Sequence, residues 1–243
     1  MEKLKPKVYG ITGNGSLAIG SPNLTKDQVD AHGHLIAWVQ DVAEGIVKQD
    51  PETWGDPSNW EAEMKSQGWF DAWVNGVVNY TKFVTIKSDQ NASSSKHSSK
   101  GSVKIGELLD AAIKIYFGVE ALATYETMND LLGNPSVDVT NFMNFWWSHV
   151  KKTKTNTGVK FGPAIPVDGG DAVEFTAIFY SVTESVDDWR ALFIESVNED
   201  VDIFTVGLTF QYSNDDWKKF GPEIMKQLSP DIKKSIHNAP LGG

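Results

Sequence analysis

The 243-residue sequence contains no cysteine. Disulfides, thiolate nucleophiles and cysteine-ligated metals are therefore excluded. Arginine is nearly absent as well. Arg190 is the single arginine among 22 basic residues, which face 32 acidic ones, and the net charge is −10. Nucleic-acid readers depend on arginine's bidentate fork and on a basic surface, so nucleic acid is excluded as a partner. No apolar run approaches the roughly 20 residues that a membrane span needs. The opening MEKLKPKVYG has charges with no apolar stretch behind them, so a secretory signal is not expected there. The expectation is a soluble protein, either secreted without an evident signal peptide or held as a cytoplasmic inclusion.

Chemical motifs are also scarce. Gly13-Asn14-Gly15 has neither the dinucleotide fingerprint nor a P-loop lysine after it. His32 and His34 lie two apart in a predicted helix, so they point to different faces and are expected to be surface or boundary residues. Asp187-Asp188 and Asp215-Asp216 each precede a tryptophan. Paired carboxylates beside an aromatic ring suit a glycosidase acid and its platform, but a turn and a helix N-terminus explain them more simply. The nine tryptophans are spread along the whole chain, which suits core and boundary packing better than a sugar site. No enzymatic activity, metal or cofactor is expected.

The patterns that are present describe helices and strands. KVYGITGNGSLAIG reads as a hairpin with a Gly-rich turn. Thr25 and Gln28 form a capping box for a helix over 27–48, with Val29, Leu35, Ile36, Val39, Val42, Ile46 and Val47 as its stripe. Trp69, Phe70, Trp73 and Val74 fit the inner face of a short helix, and Val78, Tyr80, Val84 and Ile86 alternate as a strand. Residues 88–102, SDQNASSSKHSSKGS, are serine-rich and predict a mobile loop within one domain. The stretch 104–132 is a largely buried helix with Gly118 marking a bend or a break, and Gly133-Asn134-Pro135 stops it.

A second helix then runs into FMNFWW. Phe142, Phe145 and Trp146 share its inner face, with Trp147 and the lysines beyond expected nearer solvent. From there the period changes to two. GPAIPVDGGD, with two prolines, reads as an edge strand or turn, and VEFTAIFYSV, RALFIESV and VDIFTVGLTFQY read as strands joined by short turns, giving an antiparallel sheet. In the last strand Phe204, Val206, Leu208, Phe210 and Tyr212 form the inward set, opposite Thr205, Thr209 and Gln211. Short helices, with Ser229-Pro230 as a cap and first position, close the chain.

This order of elements over residues 100–212 resembles the Cyt-type δ-endotoxins and the volvatoxin-like cytolysins. The carrying features are KIGELLDAAIKIYFGVEAL, a second helix ending in FMNFWW, the basic spacer SHVKKTKTNTG, and the strands that follow. The resemblance implies a single α/β (α+β) domain, residues 1–243, with an antiparallel sheet covered by amphipathic helices on both faces. It also implies a cytolysin-like protein that binds membrane lipid, permeabilises membranes and can self-associate. Under that reading the lipid-contact candidates are Ile36, Val39, Leu108, Leu109, Ile113, Tyr116, Phe117 and Trp147. Two alternatives remain at this point: a non-catalytic storage, inclusion or structural protein, and a small-ligand carrier.

Overall fold

The computed structural model describes residues 6–87, 93–102, 104–116, 118–133, 137–152, 159–183, 186–197 and 200–242. The predicted hairpin is β1 (Val8–Gly13) and β2 (Ser16–Gly20). Its two-residue turn holds Asn14 and Gly15 at φ 49° and 77°, the left-handed pair that matches strand twist. Thr25 caps α1 (Lys26–Gln49) in a reciprocal box with Gln28. Asp50 and Pro51 end α1 and start the short α2 (Pro51–Trp54). The third helix, α3 (Ala62–Tyr80), runs longer than its aromatic stripe suggests. Val78 and Tyr80 belong to it and are exposed, so the expected strand shrinks to β3 (Thr85–Ile86). Burial at 69, 70, 73 and 77 follows helical spacing, and this packing overrides the β propensity of the outer residues.

The serine-rich stretch is corrected more sharply. Residues 88–92 lie outside the described residues, but Ser93–Ser99 form β4, paired antiparallel with the last long strand. An edge strand needs only backbone partners on one side, so a chain with nothing to bury can still take that place. Lys96 helps to anchor it through an ion pair with Asp202 at 2.9 Å.

Helix 104–132 is two helices, α4 (Ile105–Tyr116) and α5 (Gly118–Gly133), followed by α6 (Val137–Lys152). Next come β5 (Val159–Val167) and β6 (Ala172–Val182). RALFIESV is not a strand: Asp188 accepts from the Arg190 backbone N–H at 2.9 Å and starts a single turn, α7 (Trp189–Phe193). The long β7 (Val201–Ser213), α8 (Asn214–Gln227), α9 (Pro230–Ser235) and β8 (His237–Leu241) complete the chain.

The strands form one sheet in the order β3-β7-β6-β5-β2-β1-β8, with β4 also on β7. Among the described residues all pairs are antiparallel but one: β2 and β5 run parallel, from Leu17↔Phe161 to Gly20↔Ala164. The helices between β2 and β5 supply the long crossover that parallel pairing demands. This makes the sheet mixed and places β5 in its interior rather than at an edge. Pro163 is accommodated by a gap in the β5–β6 ladder, which passes from Phe161↔Ile178 directly to Ala164↔Phe175 and so skips Gly162 and Pro163, whereas Pro166 stays in the ladder opposite Val173. At Gly162 a Cβ would lie 1.2 Å from the Thr176 carbonyl oxygen, so no other residue fits there.

Two separate cores result. On one face α1 and α3 cover Val173, Phe175, Ala177 and Phe179 of β6 and Val206, Leu208, Phe210 and Tyr212 of β7. On the other, α4, α5, α6 and α7 cover Leu17, Ile19, Ile178, Tyr180, Val182 and Ile203. The molecule is therefore a single α+β domain with helices on both faces. Thr205 and Thr209, predicted to point away from the core, are each 2% exposed and share the sheet face of Ile203, which belongs to the second core.

Candidate functional site

The sequence points to the two helix–sheet interfaces as the surfaces that matter. Ile36 and Val39 lie on the inner face of α1, buried against the sheet. In the opposite layer Leu109 of α4 is fully buried and Leu108 is half-buried against the same core. The side chains of Ile113 and Tyr116, and all of Phe117, lie outside the described residues. Trp147 is not near solvent as expected. It is 6% exposed, packs on Trp146, and its Nε1 donates to the Asp187 carbonyl at 3.1 Å.

The rings of FMNFWW thus fasten α6. Phe142 and Trp146 are buried, and Trp146 Nε1 donates to Gly15 O at 3.2 Å, tying the helix to the first hairpin. Phe145 is half-buried between His149 and His237, with ring centroids 4.6 and 4.8 Å away. Trp189 Nε1 donates to Asn144 Oδ1 at 2.9 Å and joins α7 to this helix. Lys151 is exposed, and Lys154 lies outside the described residues.

The α1 interface carries polar groups that the stripe did not reveal. Gln28 is buried, and its side chain accepts from Thr25 N at 2.8 Å and donates to Gly170 O at 2.9 Å and Asn214 Oδ1 at 3.3 Å. His32, expected at the boundary, is 1% exposed. Burial pushes its pKa down from 6.5 to about 3, so it is neutral at physiological pH. Residue 32 follows Gln28 by one helical turn and precedes Ile36 by another. That spacing marks the inner face and was the available signal. His34 lies toward solvent, its Nδ1 2.7 Å from Asp30 O.

The paired carboxylates take structural roles. Asp188 caps α7, while Asp215 and Asp216 occupy the first turn of α8, where Asp216 accepts from Ser213 Oγ at 2.7 Å. A surface cleft of about 440 Å³ runs between α1 and α8, lined by Asp27, His34, Asn214, Trp217, Lys218 and Met225 among others. Among the described residues no helix is long and apolar enough to cross a membrane, and no three His, Asp or Glu side chains converge as metal ligands.

No protein-family model matches the chain, and no curated protein matches it in sequence. Among solved structures it is similar to a delta-endotoxin, with TM-score 0.40 and 10% identity over 83% of each chain. It is also similar to the activated Cyt2Ba monomer from Bacillus thuringiensis subsp. israelensis, with TM-score 0.38 and 12% identity over 81% of this chain and 96% of that one. The Evf virulence factor gives TM-score 0.33 and 15% identity over 95% of this chain and 91% of that one.

Proposed function

We propose that the protein binds membrane lipid and permeabilises bilayers, as the Cyt-like order of its elements implies. One observation supports this most. Strands β6 and β7, of 11 and 13 residues, pair in continuous register. One face of the pair carries Val173, Phe175, Ala177, Phe179, Val206, Leu208, Phe210 and Tyr212. The other face carries Glu174, Thr176, Thr205, Gly207, Thr209 and Gln211 over the middle of the pair, with Ile178 and Tyr180 interrupting them and Val182, Val201 and Ile203 at one end. A tilted strand of about 9–11 residues crosses the hydrocarbon layer, and alternation of apolar and polar faces is the pattern such strands need.

In the closed molecule α1 and α3 occupy the apolar face. Acyl chains can replace them, because burial on either is driven by the same loss of apolar surface from water. The same step bares Ile36 and Val39 on α1. Leu108, Leu109 and Trp147 meet lipid only if the opposite layer leaves. Each fully buried side chain resists this by about 1.5–3 kcal/mol, so contact requires local opening rather than simple adsorption. With a net charge of −10, attraction to anionic lipid does not drive adsorption, and added salt alters it little.

Dye-loaded vesicles of zwitterionic and anionic composition test the reading. Leakage at micromolar protein, similar at low and high salt, is expected. Neither binding nor leakage in any composition would overturn it. A small-ligand carrier is the second reading, favoured by the α1–α8 cleft, whose size falls within the range of about 300–1,000 Å³ usual for ligand sites.

A further inference from the structure

His32 stands at the junction of α1 with the sheet. Its ring meets Phe175 edge-on, with centroids 4.8 Å apart, and lies parallel to Tyr212 at 6.4 Å. Beside it is a cavity of about 20 Å³, walled by Ser16, Ile36, Trp73, Phe175 and Thr176 among others. His32 Nδ1, Ser16 Oγ and Trp73 Nε1 are all buried and have no hydrogen-bond partner among the described residues. The space is large enough for one water, which can serve these three groups but supplies no charge.

No charged side chain lines this cavity. On α1, Asp30 is held by Lys26 and by Asn238 of β8. On α3, Asp71 is exposed and accepts from Gln67. On β6, Glu174 lies one residue from Phe175 and so on the opposite face, where it pairs with Lys87. On α8, Asp215 pairs with Lys218 and Asp216 accepts from Ser213. Among the described residues, Tyr212 of β7 is the titratable group whose ring stacks on His32. Burial pushes its pKa up, so it stays neutral, and its hydroxyl also lacks a partner.

We propose that His32 is an acid-operated latch: a proton on its ring places an uncompensated cation among apolar side chains and releases α1 from the sheet. An opened α1 returns the imidazole to water, where it protonates with its ordinary pKa of 6.5, whereas the closed form resists until about pH 3. The closed state is thus fully favoured above pH 6.5 and loses its advantage as the pH falls toward 3. Linkage makes the opening equilibrium rise about a hundredfold between pH 7.5 and 4.5. Asp41 on α1 is half-buried and Asp71 on α3 is exposed, and desolvation by the neighbouring protein raises both pKa values. They therefore favour the closed form on acidification and oppose the latch, so the test must isolate His32. The latch is independent of any contact with a membrane.

Hydrogen-exchange protection factors, corrected for the intrinsic pH dependence of exchange, provide that test in the full chain. Between pH 7.5 and 4.5 the α1 amides should lose up to about a hundredfold of protection, less what Asp41 and Asp71 offset, while α6, on the opposite face, keeps its own. His32→Gln should abolish the loss, leaving only the gain in protection on acidification that Asp41 and Asp71 supply. Should that variant not fold, His32→Leu serves, and the ring resonances of wild-type His32 give a readout needing no substitution. Unchanged α1 protection in the wild type, equal loss in α1 and α6, or a ring that titrates near 6.5 in the closed protein would each overturn the proposal.

Discussion

Thr176 Oγ1 and Thr209 Oγ1 lie 3.2 Å apart, a buried hydrogen bond between register partners of β6 and β7. Each hydroxyl answers the other inside a sheet that is covered on both faces. Thr209→Val leaves the Thr176 hydroxyl alone and should destabilise the protein by about 1–3 kcal/mol. The double replacement of Thr176 and Thr209 by Val should recover most of that loss, since both partners become apolar with little change of shape. Urea unfolding of the two single variants and the double variant measures the coupling.

The apolar side of β7 should respond differently. Leu208→Ala creates a cavity beneath α1 and α3 and should cost roughly 2–5 kcal/mol. No second substitution in β6 should restore it. Equal recovery in a Leu208 double variant would show that the two faces have been exchanged.

Gly162 lies against the Thr176 carbonyl with no room for a methyl group. Gly162→Ala must push β5 away from β6, and the expected loss is about 3 kcal/mol or more. Thermal unfolding checks this, with Gly45→Ala as the control because a Cβ at Gly45 meets nothing within 4 Å.

Removing residues 93–99 uncovers the backbone of β7 from Val201 to Gly207. An uncovered, largely apolar edge pairs with other chains. The shortened protein should therefore self-associate with rising concentration in light scattering, while the full chain scatters less.

Much of this architecture was legible in the sequence because it rests on local signals. The Thr25–Gln28 capping box, the Asn14-Gly15 turn and the β7 alternation each depend on a few neighbouring residues. What was not legible depends on distant ones. Nothing near Pro163 signals that β2 lies alongside β5, and nothing near Ser93–Ser99 signals an open edge on β7. A strand cannot be told from a turn at RALFIESV without knowing that Asp188 caps it. Of the site, Ile36 and Val39 were visible from helical period. His32 was not, because a histidine on an inner face is ordinarily assigned to solvent. Trp147 was misplaced because its hydrogen-bond partner, the Asp187 carbonyl, lies 40 residues away.

At the start of α1, Gln28→Ala removes four polar contacts, two to Thr25 and one each to Gly170 and Asn214, whereas Thr25→Ala removes only those of the cap hydroxyl. The second should cost about 1 kcal/mol and the first more, up to roughly 3 kcal/mol, by chemical denaturation. Equal losses would mean that the links from Gln28 to Gly170 and Asn214 contribute nothing.

Under the proposed function the α1 layer must leave the sheet before the protein can act on a bilayer. Gly33 of α1 faces Asn238 of β8, and a Cβ at Gly33 would lie 2.9 Å from the Asn238 amide oxygen. With no native cysteine, Gly33→Cys combined with Asn238→Cys makes a single tether between helix and sheet. Leakage of dye-loaded vesicles, measured with this variant oxidised and then reduced, is the most direct test. Adsorption without leakage is expected when oxidised, and restored leakage on reduction. Equal leakage in both states would contradict the proposed function.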